Sequence, residues 1–292
     1  MLELPGVWRR HGAAVPEVPL VMDSPHSGTS YPADYRHAAP LATLRRAEDT
    51  HVDVLFGDAP RFGATRLDAL FPRSYIDVNR ALDDLDPELL DGPWPEPLAP
   101  GTKTTLGIGL VSRLCGAMVP IYDRPLAVDE VRGRIDRCWR PYHTELERLI
   151  EATHARFGAV FHVNCHSMPA VGADGMALDA GRPRADFVLG DRDGTTCAEA
   201  FVGTAERFLA ARGYDVRRND PFKGVEIVRK FGRPGAGRHS LQIEINRRLY
   251  MNEDTREPND GFARLRAALA GLVECLAGFA RDRAAVTART AP

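Results

Sequence analysis

Val160-Phe161-His162-Val163-Asn164-Cys165-His166-Ser167-Met168-Pro169 is the stretch from which the rest of the chain can be placed. Its apolar, β-branched entry through Val160, Phe161 and Val163 predicts a buried strand. Ser167, Met168 and Pro169 suit a loop, so His166 falls where strand gives way to loop. Ligands of α/β sheets bind at the carboxyl ends of strands, and a neutral imidazole there is well placed to hold a metal. His162 shares the strand face of His166, but in an extended chain the two lie about 13 Å apart and cannot chelate one ion. His162 is therefore read as a buried structural histidine. Cys165 points to the other side of the strand and is read as packing rather than as a nucleophile.

Outward from this strand the pattern alternates. Residues 128–157 form the longest helical pattern, with Val128, Val131, Ile135, Trp139, Tyr142, Leu146 and Leu149 at three- and four-residue steps; Pro141 inside it should kink or split the helix. Toward the N-terminus, Leu20–Ser24 reads as a strand that stops at Pro25-His26-Ser27-Gly28. Residues 41–62 read as a helix, and 64–70 and 74–78 as strands. Toward the C-terminus, 185–189 and 241–246 read as strands, 195–212 and 262–283 as helices, and the tail from 287 as frayed. Residues 82–100, rich in Asp and Pro, must be a loop. Motifs lie on both sides of it, so it is read as an excursion from one catalytic domain spanning 1–292, not as a linker. The alternation predicts an α/β fold with a mixed or largely parallel sheet.

Composition narrows the function classes. A net charge of -2 gives no bulk electrostatic reason to bind nucleic acid or an anionic membrane. No apolar run of about 18 residues is available to span a bilayer. Cysteines number five, an odd count without a CxxC pair, so neither a disulfide framework nor a zinc knuckle is indicated. With no basic-then-apolar leader at Met1, a reducing, cytoplasmic setting is expected. GxSxG, HExxH, GxxxxGK[ST] and GxGxxG are all absent.

Five further positions carry candidate chemistry. His26 sits at a second strand end, beside Gly28. Glu48, Asp49, His51 and Asp53 crowd an apolar helical pattern; the run reads either as a solvated face or as one carboxylate turned inward to a metal. Asn79-Arg80 ends a predicted strand, where the guanidinium fork suits a carboxylate. Lys223, Arg229 and Lys230 form a basic segment near Gly224, either a surface loop or an anion-binding element. Glu244 lies on a strand with Leu241, Ile243 and Ile245 on the other face. If both faces are covered it is buried and costly unless used, and a glutamate near an activated water is a natural general base.

Four ordered motifs then resemble one family. Asp23 to Gly28, Asn164 to Pro169, the Lys223-Gly224 to Arg229 region and Gln242 to Met251 together resemble the N-formylglutamate amidohydrolase (deformylase) family, related to zinc carboxypeptidases and aspartoacylases. The resemblance implies a central mixed sheet flanked by helices on both faces and one catalytic Zn2+, another divalent transition metal being possible. It implies His26 and His166 as ligands, Asn79 and Arg80 as the grip on a substrate carboxylate, and Glu244 as general base. Thr29 stands where carboxypeptidases carry their glutamate ligand, so the acidic ligand must come from elsewhere. Asp49 is chosen, with Glu48 as fallback and Asp53 as a weaker candidate. The implied activity is hydrolysis of N-formyl-L-glutamate to formate and glutamate, a step of histidine degradation. The substrate would be a small dicarboxylate, neutralised by Arg80, Lys223 and Arg229. Open alternatives are another N-acyl amino acid, a C-terminal peptide bond, or a member that binds metal without catalysis. Oligomeric state stays open.

Overall fold

Strand-forming segments collect in one mixed sheet. A computed structural model describes residues 1–115, 118–172 and 179–290. An N-terminal hairpin, β1 (Leu2–Leu4) and β2 (Trp8–His11), precedes β3 (Leu20–Ser24), α1 (Leu41–Leu44), α2 (Val52–Leu55) and β4 (Thr65–Ala69). Next come α3 (Thr102–Thr105), a small ribbon of β5 (Leu114–Cys115) and β6 (Val119–Pro120), α4 (Val128–Arg134) and α5 (Arg140–Phe157). The last part is β7 (Val160–Met168), β8 (Phe187–Gly190), α6 (Glu199–Ala210), β9 (Val216–Arg218), α7 (Glu226–Phe231), β10 (Arg238–Asn246) and α8 (Phe262–Thr290). The eight-stranded sheet has the order β1-β2-β4-β3-β7-β10-β8-β9. Its centre, β4 to β10, is parallel; β8 runs antiparallel to β10, and the N-terminal hairpin is antiparallel to β4. Strands from both sides of residues 82–100 thus share one sheet.

Both faces are covered. On one, Met22, Val163, Cys165, Leu241 and Ile243 pack under α2, α6 and α8. On the other, Val21, Leu67 and Val160 pack with Tyr142, Leu146 and Leu149 of α5. Each such aliphatic side chain contributes about 1.5–3 kcal/mol by leaving water. On the α5 face the strands turn polar toward their carboxyl ends, where Asp23, His162, Asn164, His166, Gln242 and Glu244 are all buried. Burial at these positions costs free energy unless each group is bonded. Asp23 accepts from Tyr142 Oη (2.7 Å), His162 Nε2 (3.0 Å) and Asn164 Nδ2 (2.8 Å), and Ser240 Oγ lies 2.7 Å from His162 Nδ1. His162 is structural, as expected, and Cys165 belongs to the opposite core.

Several elements differ from expectation. Residues 41–62 are not one helix. Glu48 is extended and His51 left-handed (φ 67°), and the Asp49 amide donates to His26 O (3.0 Å). The polar run and this tie to the loop after β3 outweigh the apolar period, so Asp49 and Asp53 do not share a helix face. Residues 74–78 form no strand; Tyr75, Ile76 and Val78 are buried in a turn-rich segment whose ladder partner is missing, and Asp77 N donates to Leu110 O (2.8 Å). The expected split of 128–157 falls just before Pro141, between α4 and α5. Residues 135–139 form a π turn in which Arg140 N reaches back to Ile135 O, so the wider turn precedes the residue that lacks a donor. Residues 195–198 are tied to the sheet instead of opening α6: Thr196 N donates to Asp191 O (3.1 Å), and Thr196 O accepts from Ser240 N (2.8 Å). Part of the basic segment is helical, in α7. Of the tail from 287, residues 291–292 lie outside the described residues, and α8 is continuous to Thr290.

Candidate active site

The loop after β3 carries His26 over the ends of β3 and β7. It can do so because Gly28 passes against the backbone of Leu70 and Phe71, where an added Cβ would come within 2.3 Å of Phe71 O. His166 lies within β7, which runs on through Ser167 and Met168 instead of giving way to loop there, and Asp49 is brought in by its amide bond to His26 O. Ligand atoms of His26, Asp49 and His166 all lie within 4.8 Å of one another, and all three residues are buried. Glu48, the fallback, turns away: its carboxylate accepts from Tyr31 Oη (2.8 Å) and Arg45 Nε (3.3 Å). Asp53 lies on α2, outside the cluster.

The tautomers follow from the outer contacts. His26 Nε2 lies 2.7 Å from Asp77 Oδ1, an acceptor, so the ring carries its proton on Nε2. Asn164 donates Nδ2 to Asp23, which leaves its Oδ1 to accept from His166 Nε2 (2.6 Å). Burial lowers the His166 pKa, against the pull of Asp49, and keeps that ring neutral. Both Nδ1 atoms therefore present lone pairs to Asp49 Oδ2, at 3.4 Å from His26 and 3.1 Å from His166. His26 Nδ1 is buried without a hydrogen-bond partner. Three lone pairs converging with no proton among them repel unless a cation lies between, and an N2O donor set with a free position suits a catalytic zinc. The residues fit a divalent metal.

Outer groups hold each donor. Asp49 Oδ1 accepts from Arg247 Nη2 (3.1 Å) and Ser167 Oγ (3.4 Å), leaving Oδ2 for the cluster. The Arg247 guanidinium on Oδ1 favours the ionised form of the buried Asp49 carboxyl. Asp77 is also held low: burial is overcome by Arg73, 2.8 Å away, and by His26. Such carboxylate–histidine pairing fixes the ring and strengthens it as a ligand.

Glu244 is reached by register. β10 lies inside the sheet between β7 and β8, and Glu244 is directly opposite His166. The reading of Glu244 on a wet edge strand is thereby excluded. Burial, then the Asp49 charge, pushes its carboxyl up to about 8, while Arg73, Arg247 and Arg184 pull the other way. Its Oε1 accepts from Gln242 Nε2 (3.0 Å). Asn79 and Arg80 follow Asp77 in a turn, not at a strand end. Asn79 Oδ1 accepts from Ile227 N (3.0 Å), and its Nδ2 lies 3.3 Å from His166 Nε2. Arg80 is buried; its Nε has no hydrogen-bond partner, and its nearest carboxylates are Asp84 (3.6 Å) and Asp77 (4.0 Å).

A family model described as N-formylglutamate amidohydrolase matches residues 18–251. The chain belongs to that family. It is 52% identical, at a TM-score of 0.90, to the crystal structure of N-formylglutamate amidohydrolase from Ralstonia eutropha JMP134, over 95% of this chain and 99% of that one. An N-formylglutamate deformylase of Pseudomonas aeruginosa is 29% identical over 274 residues, 91% of this chain and 95% of that protein. A protein of the same name from Pseudomonas putida is 29% identical over 241 residues, 81% and 83% of the two chains.

In this N-formylglutamate amidohydrolase family member the basic segment does not reach the cluster. Lys223 is exposed and paired with Asp193 (2.8 Å); Arg229, also exposed, pairs with Glu226 (2.6 Å). Asp77, Asn164 and Arg247 escaped the sequence reading, although each lies inside a stretch already singled out. The available signal was their position, two or three residues from a candidate. Among the described residues no helix is long and apolar enough to cross a membrane.

Proposed function

We propose that the chain hydrolyses N-formyl-L-glutamate to formate and L-glutamate, with zinc held by His26 Nδ1, Asp49 Oδ2 and His166 Nδ1. The observation that carries this reading is the partnerless His26 Nδ1 facing an ionised Asp49 and a neutral His166, with Glu244 beside them, in a chain of this family. When bound, the cation supplies Lewis acidity toward the formyl oxygen and toward water.

The remaining work falls to side chains. Glu244 takes a proton from the water that adds to the formyl carbon. It returns that proton to the nitrogen as the C–N bond breaks, because an amide anion leaves poorly. A positive charge in the cluster lowers Glu244 from its cation-free value of about 8 toward the range in which a carboxylate exchanges protons at neutral pH. Arg80 and Asn79 hold a substrate carboxylate: the Arg80 guanidinium is buried, has only the long contacts to Asp84 and Asp77 and has no hydrogen-bonded carboxylate, a need that a bidentate anion meets. Asp77, Asn164 and Arg247 keep the donors in place.

Two variants and a substrate panel test this reading. Glu244→Gln should keep stoichiometric zinc by elemental analysis while kcat falls about 100- to 10,000-fold. Normal turnover by that variant would remove Glu244 from the chemistry. His166→Ala should lose the metal, and retention of one zinc per chain would strike His166 from the ligands. Among N-formyl, N-acetyl and dipeptide substrates, N-formylglutamate should be turned over fastest.

A further inference from the structure

Four cations gather on the Glu244 side of the cluster, and carboxylates answer only some of them. Arg73 is paired with Asp77, and Arg184 with Asp179 (2.6 Å). Arg80 has only the long contacts described above. Lys103, on α3, makes no ion pair and no side-chain hydrogen bond among the described residues. Its ammonium instead stands over the ring of Phe222, 5.8 Å from the centroid, and the Arg184 guanidinium is 4.9 Å from the same centroid.

Both cations are anchored near the reaction centre. Arg184 Nη1 donates to Pro169 O (3.3 Å), where the chain leaves β7, and Arg184 O accepts from Asn246 Nδ2 (3.1 Å) at the end of β10. α3 is tied through Asp84, which accepts from Gly101 N (2.7 Å) and from Thr104, and which also faces Arg80. The Lys103 pKa is lowered by burial first, then by the charges of Arg80, Arg73 and Arg184, with Glu244 as the attractive neighbour. The four cations therefore act on one another across a common space, and such an excess calls for an anion.

We infer that Lys103 and Arg184, both beside the Phe222 ring, receive the side-chain carboxylate of the substrate, and that they select its charge and reach. The inference rests on the amidohydrolase reading, which assigns the other carboxylate to Arg80. The count agrees: Arg80 and Lys103 are the two cations left without a direct carboxylate bond, and a dicarboxylate brings two. The Phe222 ring offers the apolar surface on which the methylenes between the carboxylates lie. Lys223 follows Phe222 in the chain but is held by Asp193 at the surface and has no share in it.

The test compares zinc-loaded wild type with Lys103→Met and Lys103→Arg on N-formyl-L-glutamate and N-formyl-L-glutamine. Glutarate binding is measured on the same three proteins by calorimetry. In Lys103→Met the preference for the glutamate substrate, as a ratio of kcat/KM values, should fall at least tenfold through KM, and glutarate affinity should fall by a similar factor. Lys103→Arg should restore most of both. Arg184→Gln should shift the ratio in the same direction, as a check independent of α3. A ratio and a glutarate affinity within twofold of wild type in Lys103→Met would overturn the inference while leaving the amidohydrolase reading intact. Lys103-dependent glutarate binding without turnover of either substrate would overturn the amidohydrolase reading and keep the anion site. Neither turnover nor glutarate binding in the wild type would overturn both.

Discussion

Asn164 offers the proposed metal centre no donor of its own, yet it decides which nitrogen of His166 carries the proton. Its amide is fixed by Asp23, and its Oδ1 then accepts from His166 Nε2, leaving Nδ1 bare. Asn164→Leu removes that acceptor. Zinc affinity, read by competition with a chromophoric chelator, should fall about 10- to 100-fold. Unchanged affinity would show that Asn164 does not orient the ring. His143 illustrates the opposite use of burial. Its Nε2 donates to Val78 O (2.8 Å), and its ring stacks on Trp139 at 3.7 Å between centroids. Burial, then the Lys230 charge, lowers its pKa to about 3. The unfolded chain protonates this residue near 6.5, before the folded one does. Its stabilising contribution is therefore complete above about 6.5 and is lost, at about 1.4 kcal/mol per pH unit, as pH falls toward 3. Urea midpoints of wild type and His143→Gln between pH 6.5 and 4 should diverge in slope, the variant being shallower. Equal slopes would contradict the assignment.

At the scale of elements, the loop after β3 delivers His26 only because its backbone lies against that of Leu70 and Phe71. Gly28→Ala places a Cβ 2.3 Å from Phe71 O. Either the loop or the end of β4 must move, so the variant should lose at least about 1–3 kcal/mol in denaturant unfolding and bind zinc more weakly. A variant with wild-type stability and affinity would show that the approach is not needed. This loop also shows what was legible in the sequence. His26, His166 and Glu244 lie on or just past predicted strands, so a local pattern exposed them. The parallel centre followed from the alternation of strands and helices, and the covered faces that make Glu244 a buried residue from the family resemblance. Asp49 was harder, because its polar run was embedded in an apolar helical period, and only a bond to His26 O takes it out of helix. Arg80 was expected at the end of a strand that does not form. Its apolar neighbours Tyr75, Ile76 and Val78 mark burial, and burial in a turn has the same composition as burial in a sheet. Lys103 and Arg184 gave no local sign at all, since their meeting at Phe222 depends on three segments far apart in the chain. Lys223 and Arg229 show the converse error: a cluster of cations in sequence is most easily neutralised by nearby surface carboxylates.

At the scale of the molecule, the proposed donor cluster would couple folding to metal binding. Three converging lone pairs make the empty centre a local strain, and an ion that binds only the folded chain stabilises it by mass action. Zinc at a hundred times its dissociation constant should raise unfolding free energy by about 2.7 kcal/mol over the chelator-stripped protein. No change in the unfolding midpoint on adding zinc would speak against a site formed by these residues. The sheet order has a further consequence, for synthesis. β10 enters between β7 and β8, although it is made last of the three. Until it emerges, β7, buried along all nine residues in the finished sheet, has an open edge, and Asp49 lacks Arg247. A nascent chain therefore carries an aggregation-prone strand and an incomplete centre until β10 has left the ribosome. A released fragment 1–237 should aggregate and retain no zinc, whereas a monodisperse, zinc-binding fragment would show that the earlier strands close on their own. Metal loading is, on this account, a late event in the life of each chain, and the strand that brings Glu244 is also the one that makes the molecule safe to release.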